Sequence, residues 1–132
     1  CSRQKVLLSS EIVFLTNYLT LEQSSLPQFR YQFTSEGEVN RVLVPPLLFI
    51  PFVQHIMELT HEQQISIPVS LDIHLKAEKG TIVFTCMCPQ LNLSVNRGLE
   101  RIRHRLDLLY GDRYGLSFTM ECIRLELNGG EQ

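Results

Sequence analysis

The sequence predicts a two-layer α/β sandwich of the α+β class, in which one mixed sheet carries about three helices on one face. Three stretches place apolar residues at helical spacing, and the stretches between them alternate apolar with polar residues as half-buried strands do. The predicted order is α-β-α-β-β-α-β-β, and strands that bury one face need helices to cover it. A chain of 132 residues is long enough for one hydrophobic core.

The first helix is predicted from Val6 to about Ser25, because its apolar residues recur with a period near 3.6. Ser9 or Ser10 is the predicted N-cap, and Glu11 lies near the first turn, where a negative charge favours the helix dipole. Pro27 is expected to stop the helix, since it lacks the backbone N–H.

The middle of the chain predicts one strand, one short extended piece and the second helix. Phe29–Thr34 alternates aromatic with polar residues, and Glu36–Glu38 is a turn signal around a glycine. Val42–Val44 is a short extended piece before a Pro-Pro corner. The second helix is predicted over Leu47–Leu59, with Pro51 in or near its first turn, where a missing N–H costs little.

The rest of the chain predicts a hairpin, a third helix and two closing strands. The third helix, Gly98–Tyr110, has apolar residues at core spacing. The predicted strands are Ile67–Ala77 and Thr81–Cys88, joined by a turn at Lys79-Gly80, then Tyr114–Met120 and Cys122–Leu127.

Composition excludes several classes of function. The net charge of −2 gives no reason to expect nucleic acid as a partner. No apolar run reaches the roughly 18 residues that a membrane span needs. Cys86 and Cys88 lie on one side of a predicted strand, but no second ligand pair accompanies them, so reduced thiols in a core are expected rather than a zinc site. Because the chain begins at Cys1, it is expected to be a fragment.

Three sequence blocks, taken together, resemble one protein family. The first helix carries Tyr18 and Leu21-Glu22, the block Val44–Thr60 carries two prolines followed by Pro-Phe-Val, and the block Arg97–Tyr110 carries Gly-Leu, Arg-Leu and Leu-Leu-Tyr. This order is similar to bacterial sensor histidine kinases of the autolysin-sensor type, in the Bergerat (GHKL) ATPase superfamily. The resemblance covers nearly the whole chain.

The resemblance implies a domain organisation and a cellular setting. Residues 1–26 would be the end of the dimerisation and phosphoacceptor-region helix, and residues 27–132 the histidine kinase-like ATPase domain with the Bergerat fold. The domain would be cytoplasmic, in a parent protein anchored in the inner membrane. A response regulator or a partner kinase domain would bind it, and the N-terminal helix would support a homodimer.

The residues at the matched site positions differ from those of the family. The family's catalytic carboxylate is replaced by Gln54, which cannot accept a proton near neutral pH, and its Mg²⁺-binding asparagine by His55, which offers nitrogen to a metal that prefers oxygen. The other positions that the resemblance places at the nucleotide site are Glu58, Thr60, Met87, Cys88, Asn96, Gly98, Leu99 and Arg101.

These replacements favour a degenerate site that holds no metal and needs no cofactor. Met87 or Cys88 stands where an acid would read adenine, and Asn96 removes the first glycine of the phosphate loop. The leading interpretation is a signalling pseudokinase that acts by docking. One alternative is an active kinase domain with a rewired site, in which His55 or Glu58 would help hold the metal and ATP would still be turned over. Weak binding of ATP and Mg²⁺ without turnover is a further alternative. Another is a module for a different small ligand, in a cleft lined by Ile56, Met57 and Met87.

Overall fold

The computed structural model describes residues 5–26, 28–63, 68–94 and 98–128. In these ranges three helices and a five-stranded mixed sheet form the predicted α+β sandwich, so the predicted fold class is confirmed. The elements in chain order are β1 (Val6–Leu7), α1 (Leu8–Ser25), β2 (Phe29–Gly37), β3 (Leu43–Val44), α2 (Ile50–Glu62), β4 (Val69–Glu78), β5 (Thr81–Met87), α3 (Leu99–Tyr110), β6 (Tyr114–Phe118) and β7 (Cys122–Leu127).

The sheet has the strand order β2-β4-β5-β7-β6. β2 and β4 are parallel, and the other neighbours are antiparallel. Lys79 and Gly80 join β4 to β5 with φ values of 55° and 80°, as a tight hairpin turn requires. β1 and β3 form a separate antiparallel pair beside the helices.

The core lies between the helices and the inner face of the sheet. Phe84 at the centre of β5 pairs with Leu75 and Leu125 on the neighbouring strands. Phe49 and Phe52 pack their rings on Phe84, with centroid distances of 4.5 and 5.5 Å. This contact places α2 across the middle of the sheet.

Helix α1 shares this core with the rest of the chain. Leu8, Leu15 and Leu19 are almost fully buried and belong to the same hydrophobic cluster as the sheet residues. Residues 8–25 therefore pack as part of the sandwich. The assignment of residues 1–26 to a dimerisation region stays a prediction about function.

The predicted serine cap of α1 was wrong. The N-cap is Leu7, and no side chain caps the helix. The amides of Leu8 and Ser9 instead donate to the carbonyls of Val42 and Val39, at 2.8 and 3.0 Å. Carbonyl oxygens of a neighbouring segment thus accept the hydrogen bonds of two amides in the first turn. Because α1 begins at Leu8, Ser9 and Ser10 lie inside the helix.

Several predicted boundaries moved because of tertiary contacts. α2 begins at Ile50 rather than Leu47, since Leu47 has a φ of 58° and cannot belong to a right-handed helix. Pro51 stands in the first turn, as predicted. β2 continues through Gly37, where a Cβ would lie 2.0 Å from the Ala77 carbonyl oxygen of β4. Predictions that fall on Pro27, Ile67, Asn96 and Arg97 lie outside the described residues.

None of the helices in the described ranges has both the length and the apolar character needed to cross a bilayer.

Candidate functional site

A cleft with a volume of about 340 Å³ runs between α2 and α3. One wall comes from residues of α2 and the segment before it, at three- and four-residue spacing. The other wall comes from α3 and its N-cap, with the same spacing. The lining residues are Leu48, Pro51, Gln54, His55, Glu58, Gly98, Arg101, Ile102, His104, Arg105, Leu106 and Leu108.

Five of the predicted site residues meet in this cleft. Gln54, His55 and Glu58 lie on one face of α2, and Gly98 and Arg101 stand at the start of α3. The α2 group and the α3 group are at least 40 positions apart in the chain, so the fold brings them together. The volume is near the lower end of the range for ligand pockets.

His55 fills the space between α2 and the start of α3. Its side chain is 4% exposed, and a Cβ added to Gly98 would lie 2.9 Å from its Nδ1 atom. The imidazole therefore packs against the Gly98 backbone, which only a glycine allows. Gly98 also has a φ of 92°, which favours glycine independently.

Burial lowers the pKa of His55 below its ordinary value, and the carboxylates of Glu58 and Glu62 oppose this only partly. The ring is therefore neutral at pH 7. Its Nε2 atom has no hydrogen-bond partner among the residues that the structure describes. A neutral imidazole at this position supplies neither a hard oxygen ligand nor a positive charge for phosphate.

Gln54 and Glu58 occupy the exposed edge of the α2 wall. The Gln54 side chain lies within hydrogen-bonding reach of the Tyr18 hydroxyl on α1. Its amide cannot act as a general base. Glu58 places a carboxylate one turn further along the same wall, where it would repel an anion.

Two predicted site residues belong to the core rather than to the cleft. Leu99 is fully buried at the start of α3. Cys88 is also fully buried, and burial raises the pKa of its thiol. A protonated, buried thiol is a poor acceptor for the amine of adenine.

Thr60 and Met87 lie elsewhere on the surface. The Thr60 hydroxyl donates to the Ile56 carbonyl oxygen at 2.9 Å, within α2. Met87 is 45% exposed and faces the side of the sheet opposite the helices, where it borders a small pocket of about 170 Å³. Asn96 lies outside the described residues.

The cleft lining expected for a different small ligand was wrong. Ile56 is fully buried in the core, Met57 is half-buried outside the cleft, and Met87 is on the opposite face. The alternation of β5 places Cys86 inward and therefore Met87 outward. The apolar part of the cleft comes instead from Leu48, Pro51 and residues of α3.

Sequence reasoning missed the contacts that position the cleft. The buried Glu11 carboxylate on α1 accepts hydrogen bonds from the amides of Leu47 and Leu48, at 2.9 and 3.1 Å. On the opposite side, Arg105 of α3 donates to the carbonyls of Leu47 and Pro46, at 2.7 and 2.8 Å. The corner before α2 is thus held between the other two helices.

Both missed residues had a signal in the sequence. Arg105 belongs to the Arg-Leu pair of the third matched block, Glu11 is the acidic residue near the first turn of α1, and the Pro-Pro corner lies between them in the chain. The structure gives these matches a reason, because charged groups that bind backbone atoms hold a corner in place. No cluster of three His, Cys, Asp or Glu residues suited to a metal ion occurs within the described ranges.

No protein-family model and no curated protein matches the sequence. The structure is similar to the catalytic domain of histidine kinase ThkA in a nucleotide-free form, with a TM-score of 0.68 and 11% identity, over 98% of this chain and 97% of that chain. It is also similar to the histidine kinase AdeS of Acinetobacter baumannii, with a TM-score of 0.66 and 5% identity, over 96% of this chain and 66% of that chain.

A third similar structure is ThkA in complex with the response regulator TrrA, with a TM-score of 0.56 and 10% identity, over 96% of this chain and 41% of that chain. At these identities the likeness shows the fold. The chain has the fold of histidine kinase catalytic domains, and the autolysin-sensor subfamily stays a prediction.

Proposed function

We propose that this chain is the ATPase-like domain of a two-component sensor histidine kinase that does not turn over Mg-ATP and acts as a docking module. The observation that carries the proposal is the packing of His55 against Gly98. The resemblance assigns that space to Mg²⁺ and phosphate, and a neutral, buried imidazole stands there instead.

Other residues support the loss of nucleotide chemistry. Gln54 replaces the general base, Glu58 adds negative charge beside the expected phosphate path, and the buried Cys88 thiol replaces the adenine acceptor. Each lost polar contact costs about 1–3 kcal/mol. Because about 1.4 kcal/mol corresponds to a tenfold change in affinity, two or three such losses lower nucleotide affinity by several decades.

The proposed partner is a response regulator or a partner kinase domain. The support is the fold together with the similar ThkA, which was solved with the response regulator TrrA. The parent protein is proposed to be a membrane-associated sensor, with this domain on the cytoplasmic side. In this role the retained sandwich transmits a conformational signal without chemistry.

One observation favours a second candidate, a module that binds a small ligand. The cleft between α2 and α3 is open, and its volume of about 340 Å³ is sufficient for a small molecule. Its lining combines apolar side chains with Arg101 and His104. A rewired, active kinase domain has less support, because Glu58 is the single carboxylate that the described part of the α2 wall offers.

The proposal is tested by phosphoryl transfer from labelled ATP, in the longer protein that contains this chain. We expect no phosphorylated product above background with Mg²⁺ or Mn²⁺. The matched control is the Gln54→Glu/His55→Asn variant, which restores the family residues on α2. Robust phosphorylation of the unchanged protein that is abolished by altering Gln54 or His55 would overturn the proposal.

A further inference from the structure

The strand β2 forms one edge of the five-stranded sheet, and within the described ranges it pairs with β4 alone. β2 is nine residues long and contains no proline and no lysine, and its pairing with β4 has no bulge. Such devices normally protect a long edge, because its free backbone groups can pair with another strand. β6, at the opposite edge, is five residues long. β2 is therefore the edge that is available to a further strand.

The open side of this strand presents the backbone groups of its odd-numbered residues. At the two ends of the pairing with β4, the Val69 amide donates to the Gln28 carbonyl at 2.8 Å, and the Glu38 amide donates to the Ala77 carbonyl at 2.7 Å. Because the backbone groups of alternate residues point to the same side of a strand, the even-numbered residues bind β4. The residues of β2 whose amides and carbonyls point away from the sheet are therefore Tyr31, Phe33 and Ser35.

The charges on β2 are placed symmetrically about its middle residue. Phe33 is the centre of the strand, and its two charged residues, Arg30 and Glu36, lie three positions before and three positions after it. Both are exposed on the outer face of the sheet. The Glu36 carboxylate lies 3.7 Å from the Lys76 ammonium group, whereas no carboxylate of the described residues forms an ion pair with Arg30. The strand is thus complementary in charge to a copy of itself that runs in the opposite direction.

An antiparallel copy centred on Phe33 satisfies the backbone groups and the charges in one register. Phe33 then lies opposite its own counterpart, Tyr31 lies opposite Ser35, and Arg30 lies opposite Glu36. Each hydrogen-bonded pair of an antiparallel ladder exchanges two bonds, so the three pairs of outward-pointing residues make about six backbone hydrogen bonds. Arg30 and Glu36 fall at pairs without backbone bonds, where opposite side chains are closest. No other register of β2 against itself places its arginine opposite its glutamate.

We propose that the open edge of β2 binds a second copy of this chain, so that the two strands pair antiparallel about a two-fold axis at Phe33 and the two sheets become continuous. A two-fold contact brings the same residues of each copy together, so its charges must complement themselves. The symmetric placement of Arg30 and Glu36 meets this condition, which an unrelated strand would not require. The contact is made by β2, so it is distinct from the pairing through the N-terminal helix that the family resemblance implies, and both can be present in one parent protein.

The length of the strand sets the strength of the contact. Nine residues of extended chain make an edge about 30 Å long. On the inner face, the half-buried Phe33 side chains meet across the axis and add an apolar contact to the backbone ladder. One pair of strand edges still buries less than the roughly 1,200 Å² typical of a stable complex. The interface is therefore that of a weak dimer, with a dissociation constant on the order of micromolar or above.

The proposal is tested by sedimentation velocity on the 132-residue chain, from about 1 to about 500 µM, a range that covers weak association. We expect a concentration-dependent dimer. Ser35→Pro removes an amide on the open side and keeps the amides that bind β4, so it should raise the dissociation constant at least about tenfold. The matched control is Ser35→Ala, which keeps the amide and should change the dissociation constant by less than about twofold. Circular dichroism confirms that each variant is folded.

A pair of charge variants tests the register at low ionic strength, where exposed charges are least screened. In the proposed register Arg30→Glu faces like charges in its own dimer, and so does Glu36→Arg, so each variant alone should dimerise more weakly than the unchanged chain. In an equimolar mixture the two variants face each other with opposite charges at both pairs, and the mixed dimer should recover most of the lost association.

Three results would each contradict the proposal. They are a chain that stays monomeric throughout, a dimer that Ser35→Pro leaves unchanged, and a mixture of the charge variants that associates no more strongly than either variant alone. These measurements report association alone, so their outcome is independent of nucleotide binding.

Discussion

His55 decides the chemistry of the cleft at the scale of single residues. It is the buried polar residue of the α2 wall, and its ring packs against Gly98 at the start of α3. The position therefore offers a neutral nitrogen and no oxygen ligand for Mg²⁺.

The identity of the replaced residues could be read from the sequence, but their environment could not. The sequence gives Gln54 and His55 at the family's catalytic positions. It does not give the burial of His55, which depends on the approach of Gly98 from a helix more than 40 residues away. The outward direction of Met87 follows from the alternation of β5, because Cys86 faces inward.

The contact between His55 and Gly98 predicts a specific energetic coupling. Gly98→Ala should destabilise the fold by about 1–3 kcal/mol. An alanine is strained at the positive φ of this position, and its Cβ would contact the His55 imidazole. Gly111→Ala is the matched control, since Gly111 has a φ of 63° and open space around it. Urea unfolding measures both.

Adding His55→Ala separates the contact from the backbone strain. The Gly98→Ala penalty should fall in the His55→Ala background, while the Gly111→Ala penalty should be the same in both backgrounds. Equal Gly98→Ala penalties in the two backgrounds would show that the imidazole does not pack on this glycine.

At the scale of elements, the start of α2 is fixed by the helices on either side. Glu11 of α1 binds the amides of the corner and Arg105 of α3 binds its carbonyls. Leu47 within this corner has a φ of 58°, a conformation that costs energy for a leucine. The two charged residues hold that strained backbone next to Leu48, which lines the cleft.

This corner predicts the effects of two conservative substitutions. Glu11→Gln leaves one amide without its carboxylate acceptor, and Arg105→Lys cannot bind two carbonyls with a planar fork. Each should lower the free energy of unfolding by about 1–3 kcal/mol. The matched controls are Glu121→Gln and Arg101→Lys, at exposed positions, with changes within about 0.5 kcal/mol.

The double variant tests whether the two residues act on the same corner. Because both bind the backbone of Leu47, the combined loss should differ from the sum of the single losses by about 0.5 kcal/mol or more. Strict additivity, or single losses no larger than those of the controls, would contradict this account of the corner.

Most elements could be predicted from periodicity, and three boundaries that moved share one cause. The strand Cys122–Leu127 and the end of α3 at Tyr110 were predicted to the residue, since alternation and spacing define them locally. The start of α1, the start of α2 and the extension of β2 were not. Each depends on backbone contacts with a distant segment, and such contacts leave no local pattern.

At the scale of the whole molecule, the sandwich is shared with proteins of very different sequence. The fold matches histidine kinase catalytic domains over 98% of the chain with 11% identity in the example of ThkA. Such a likeness is possible because many apolar residues fill the same core. The fold class could be predicted because the pattern of apolar residues defines the order of elements. Activity depends instead on a few residues that core packing does not constrain.

The central claim is that the domain does not bind Mg-ATP, and calorimetric titration with ATP and ADP, with and without Mg²⁺, tests it most directly. The unchanged chain should release no heat of binding at concentrations up to about 1 mM, a limit that corresponds to about −4 kcal/mol. The Gln54→Glu/His55→Asn variant shows whether the changes on α2 alone account for the loss. Micromolar, Mg²⁺-dependent binding by the unchanged chain would contradict the claim and restore an active kinase domain.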